Sequence, residues 1–167
     1  MDRKKLLERY GGDILRSRGM ALEKTFFQHG NVTVYEHSVA VALMCLALAR
    51  LLPGKTDTRS LVRGALLHDY FLYDWHIPVK GRPLHGFWHA RWALANAQRD
   101  FPLNRVERNM ILSHMFPLNL VLPKYRESVL LCTADKICAA RETIRGMAQN
   151  FCRNGRLIRK HRGGQSV

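Results

Sequence analysis

Apolar residues recur along most of the chain at the three- and four-residue spacing of amphipathic helices, and alternating runs bounded by turns are nearly absent. The pattern predicts an all-α fold, a single-domain bundle of about six or seven helices. A first helical region over 3–27 is expected to break near Gly11-Gly12 and again near Gly19. The stretch 28–33 reads as a loop, and Asn31-Val32-Thr33-Val34-Tyr35 is the one strand-like run. A long apolar helix over 34–52 stops at Pro53-Gly54. Thr58 reads as the N-cap of the next helix, which runs through 61–67 to the pair His68-Asp69. Beyond a loop over 73–84, a helix is expected over 85–99, and another capped by Asn104 and ending near His114. A connector over 116–123 leads to a last long helix over 124–150. These elements divide the chain into a helical extension over 1–30, a main domain over 31–150 and a basic tail over 151–167.

The longest apolar run, 39–49, is shorter than the roughly 20 residues of a membrane span, so a buried helix and no contact with a membrane are expected. The opening residues, MDRKKLLERYGGD, lack the apolar core and cleavage site of a secretion signal, which points to the cytoplasm. Cys45, Cys132, Cys138 and Cys152 form no CxxC pair and stand mostly among apolar residues. They read as reduced thiols, neither zinc ligands nor a disulfide framework.

The net charge of +14 on 167 residues favours anionic partners such as phosphates, nucleotides or nucleic acid. No motif of a nucleic-acid module accompanies that charge. The closing stretch CRNGRLIRKHRGGQSV carries Arg and Lys but no acid, and reads as a solvated tail or an anion-binding arm.

Against this background a few ionisable residues are out of place. His37 opens the helix that continues SVAVALMCLALA, His68 and Asp69 close LVRGALL, His114 lies in NMILSHMF, and Asp135 lies inside SVLLCTADKICAA. Taken singly, a histidine at a helix end is usually a satisfied hydrogen-bonding group. A carboxylate in an apolar helix is costlier and must pair with a cation or a metal. Lys136, next to Asp135, points about 100° away on a helix and cannot serve. One shared divalent cation would answer His37, His68, Asp69 and Asp135 together; Fe, Mn, Co, Ni, Zn and Mg all suit such donors. His85 and His89, four apart on one helix face, could add nitrogen ligands with His114.

The order His37, His68-Asp69, Asp135 resembles the H…HD…D pattern of the HD-domain metal-dependent phosphohydrolase superfamily. "YEHSVAVALMCLALA" is similar to its first-helix motif, "LVRGALLHD" to the HD motif and "LLCTADKI" to the final-Asp motif, so the resemblance spans about 31–144. Some HD families, among them HD-type diadenosine tetraphosphate hydrolases and HD-GYP phosphodiesterases, carry two further histidines and bind two ions. "HGFWHA" and "ILSHMF" are similar to those segments. The resemblance therefore implies two divalent ions held by His37, His68, Asp69, His85, His114 and Asp135, with Asp69 bridging. His89 stands where those families have a small residue; it replaces His85 as ligand or binds phosphate. A second departure is YFLYDWH after Asp69, where many HD enzymes have a phosphate-binding Gly-Lys. Segments such as "FFQHGNV" and "HMFPL" are similar to a bacterial branch of HD proteins labelled only as hydrolases.

The function expected is hydrolysis of a phosphate ester or anhydride of a small anionic metabolite, a nucleotide by preference, through a metal-activated water. Asp69 would hold the ions and accept a proton, and Lys80, Arg82, His89 and Lys136 are candidates for phosphate contact or leaving-group protonation. Trp75, Trp88 and Trp92 could stack on a base, though core packing is the commoner use of tryptophan. Two rivals stand beside this: a non-catalytic HD regulator that binds a nucleotide or nucleic acid, and a di-iron oxygenase, since inositol oxygenases resemble HD proteins. A protein whose histidines are only satisfied core groups fits six ordered matches least. Oligomeric state is not legible.

Overall fold

Short polar side chains set where four of the helices begin. A computed structural model describes residues 2–77 and 85–162, apart from the side chains at 29, 85 and 150–162. Within these residues the order is α1 (Arg3–Leu15), α2 (Arg18–Glu23), β1 (Phe27–His29), β2 (Val32–Thr33), α3 (Val34–Leu51), α4 (Thr58–Leu67), α5 (His85–Asp100), α6 (Arg105–Ser113) and α7 (Arg126–Arg162). Thr33 and Asn104 close capping boxes with Glu36 and Glu107, and Ser17 caps α2. Asp57, not Thr58, caps α4, accepting from the Ser60 amide at 3.1 Å. A carboxylate there is a strong acceptor and also suits the positive end of the helix dipole.

Several expected breaks move for reasons of packing. α1 runs unbroken through Gly11-Gly12, because Gly11 is where it presses onto α4: a Cβ there would lie 2.4 Å from Leu66 Cδ1. The break comes instead before Ser17. The stretch read as a loop is a small antiparallel hairpin pairing Phe27 with Thr33 and His29 with Val32, with Gly30 at positive φ in its turn. α7 continues as helix past 150 to Arg162.

α3 lies at the middle, packed most extensively against α4 and α7, while α4 also meets α1 and α6. By length and composition α3 could cross a membrane, which the shorter run 39–49 had not suggested. In this fold its His37, Val41, Cys45 and Leu46 are buried in the core. Leu7, Ile14 and Met20 from α1 and α2 join the same buried cluster as Leu66, Met110 and Leu131, so the first 30 residues pack as part of the main core. Cys45, Cys132 and Cys138 are free and buried.

One buried cation ties three helices together. Arg63 of α4 is 3% exposed. Its Nη1 donates to both Asp13 carboxylate oxygens at 2.8 Å, and its Nε lies 3.4 Å from Glu107 Oε1. A guanidinium taken out of water needs such matching. The pairing holds the Asp13 carboxyl below its ordinary value although partial burial opposes it. Because the folded value is the lower one, the pair's stabilisation is present above about pH 4, the unfolded value, and fades as pH falls through the folded one. Asp13→Asn should therefore lower the urea midpoint at pH 7, and parent and variant should converge in acid. A midpoint difference independent of pH would contradict this.

Candidate metal centre

Two helices end on a histidine in the same way. His68 follows α4 and His114 follows α6, each in helical conformation. His68 Nδ1 lies 2.8 Å from the Ala65 carbonyl and His114 Nδ1 2.7 Å from that of Ile111. Since a carbonyl only accepts, Nδ1 carries the proton in both. Each ring thus satisfies one carbonyl orphaned at the helix end and turns its Nε2 to the interior.

Those Nε2 atoms face Asp69, which is 2% exposed. Asp69 Oδ2 is 3.3 Å from His68 Nε2 and 3.9 Å from His37 Nε2, while Oδ1 is 3.3 Å from His89 Nε2 and 3.4 Å from His114 Nε2. Asp135 Oδ1 stands 3.1 Å from His37 Nε2 and 3.7 Å from His68 Nε2. His89 and His114 bring their Nε2 atoms within 2.8 Å. The fold thus gathers His37, His68, Asp69, His89, His114 and Asp135. The His85 side chain and Lys80 and Arg82 lie outside the described residues.

Other side chains aim the cluster. Asn96 of α5 donates to the carbonyls of Tyr70 and Phe71 at 3.1 and 2.9 Å, fastening α5 to the segment just past Asp69. His89, two turns earlier on the same face, is thereby turned towards Asp69. Gln28 of β1 donates to Asp69 Oδ2 at 2.6 Å. Glu142 Oε2 lies 2.9 Å from His37 Nδ1. Glu142 follows Asp135 by seven residues on α7, a same-face spacing that could have flagged it. Gln28 had no such signal, because its contact spans 41 residues. Lys136 is exposed, and its Nζ donates to the His114 and Cys132 carbonyls at 3.2 and 3.3 Å.

Electrostatics follow from burial among opposite charges. Burial opposes charge on His37, but Asp135 and Glu142 outweigh it and raise the imidazole to about 9. Burial likewise opposes ionised Asp69 and Asp135; His68 chiefly lowers the first and His37 the second. His114 is lowered by burial and by the neighbouring imidazoles. Glu23, fully buried with both carboxylate oxygens lacking a hydrogen-bond partner, is pushed well up by burial and by Asp69.

The donor set fits a divalent cation. His68 Nε2 and Asp69 Oδ1 are buried without hydrogen bonds. Donor atoms of His37, His68 and Asp135 lie within 4.8 Å of one another, as do those of His68, Asp69 and His114. Imidazoles with their outer nitrogens tied to carbonyls or carboxylates are the arrangement metal-binding histidines adopt. Two buried carboxylates near each other are also relieved by a dication between them. A cleft of about 780 Å³ opens over the cluster. Glu142→Ala should weaken metal binding about 10- to 100-fold while leaving the helical content intact, because it frees the His37 ring. Competition with a chelator measures this, and unchanged affinity would remove Glu142 from the site.

Neither the curated proteins nor the solved structures yield a match to the chain. The family model described as HD domain does, over residues 34–140, a span that runs from the first residue of α3 past Asp135. The chain therefore belongs to the HD domain family, whose members bind divalent metals and are in general metal-dependent phosphohydrolases.

Proposed function

We propose that this protein cleaves a phosphate ester or anhydride of a small anionic metabolite, using two divalent ions held by His37, His68, Asp69, His89, His114 and Asp135. The observation that carries this reading is the placing of Asp69, with one carboxylate oxygen towards His37 and His68 and the other towards His89 and His114. Divalent ions bound there would supply an acidified water and neutralise charge on the phosphoryl oxygens.

The chain's own groups do the rest. Asp69 bridges the two histidine sets, and its orientation is held by Gln28. His89 acts as a ligand, as its distance to Asp69 and His114 favours. Lys136, fixed by two carbonyls, has a third N–H for a phosphate oxygen at the mouth. A nucleotide is one member of this substrate class, and a cytoplasmic location suits it.

Elemental analysis of purified protein beside the Asp69→Ala and His114→Ala variants, with phosphate release measured on a panel of esters and anhydrides, tests the proposal. About two ions per chain are expected in the parent. Both variants should lose metal and activity while keeping the parent's circular dichroism. Phosphate release that survives Asp69→Ala would overturn it. So would metal-loaded protein that releases no phosphate and instead consumes dioxygen.

A further inference from the structure

The cleft over Asp69 is lined by side chains of two kinds. The charged and hydrogen-bonding side chains stand at the metal centre: Gln28 is bonded to Asp69, His89 and His114 face it, and Lys136 is bonded to the His114 carbonyl. Much of the remaining described lining is apolar, with Trp75, Met115, Phe116 and Leu118. Among these four, the Trp75 indole is the one N–H or O–H donor of a side chain. Leu118 also lines a neighbouring groove of about 370 Å³ with Phe87, Trp88 and Leu120, where Arg91 and Asn119 are the polar members. Leu118 is 43% and Trp88 41% exposed.

One consequence bears on the substrate. A sugar and base set against Trp75, Met115, Phe116 and Leu118 would lose water from many donors and acceptors with one indole N–H to replace it. A hydrocarbon or simple aromatic group would lose nothing and gain burial.

We propose, resting on the phosphohydrolase reading, that the substrate is a phosphate monoester of an apolar alcohol, with an aryl or medium-length alkyl group against Trp75, Met115, Phe116 and Leu118. In the reaction water oxygen bonds to phosphorus and the bond from phosphorus to the alcohol oxygen breaks. One water proton ends on the alcohol and the other stays on the phosphate, giving the free alcohol and hydrogen phosphate.

The test is binding of non-hydrolysable probes to the manganese-loaded protein by calorimetry: phenylphosphonate, methylphosphonate and a phosphonate analogue of adenosine 5′-monophosphate. Phenylphosphonate should bind at least about tenfold more tightly than either other probe, the scale on which apolar pockets discriminate. Leu118→Asp, a change at a partly exposed position, should erase that preference while metal content and circular dichroism stay at parent values. A nucleoside probe that binds as tightly as phenylphosphonate would overturn the inference, as would a Leu118→Asp variant that keeps the preference. Phosphate release on 4-nitrophenyl phosphate and adenosine 5′-monophosphate separates the two levels. Metal-bearing protein that cleaves only the nucleotide sinks the apolar substrate and leaves the hydrolase standing. Protein that takes no metal and cleaves neither sinks the hydrolase reading itself.

Discussion

A carboxylate removed from water must be answered by positive charge or by hydrogen bonds, and Asp69 is the carboxylate whose answer organises this fold. It sits just past the C-terminus of α4, where the helix dipole is already negative, and α6 ends against it too. Two negative helix ends and two buried carboxylates form a centre that strongly favours a dication. The histidines that close α4 and α6 serve both needs: one ring nitrogen satisfies the helix end, the other faces the centre.

That arrangement needs helices held at fixed heights. Arg63 fastens α4 to α1 and α6, Asn96 fastens α5 to the segment after Asp69, and Glu142 couples α7 to α3 through His37. Asn104, besides capping α6, donates to Ser60 at the start of α4, at 2.8 Å. The polar bonds therefore stand at helix ends and crossings, while Leu66, Met110 and Leu131 fill the space between. The hairpin adds one contact that no helix could reach, Gln28 on Asp69.

The all-α class and most helix positions were legible because apolar periodicity and short polar caps are local signals. The polar residues gathered at the centre stood out for a related reason: each is an expensive residue inside an apolar segment. What escaped depends on distance along the chain. Gly11 looks like a breaker until Leu66, 55 residues away, is seen to need its space. Gln28 and Glu23 carry no pattern, and their burial beside Asp69 appears only in three dimensions. Arg63 carries no local sign of its burial, which follows from Asp13 and Glu107, 50 and 44 residues away. Asp57 and Thr58 are both good caps by composition, and only the hydrogen bond to Ser60 decides between them.

The histidines that close α4 and α6 also set where the chain can change length. Each ring is locked to a carbonyl three residues earlier, so its direction is fixed by the phase of its own helix. One residue inserted within α4 or α6 would swing the ligand by about 100°, more than side-chain rotation could recover. The connector stretches 53–55 and 101–103, which leave the caps Asp57 and Asn104 in place, carry no such phase. Natural or engineered variation in length belongs there, and a single-residue deletion inside α4 would disarm the centre while barely altering composition.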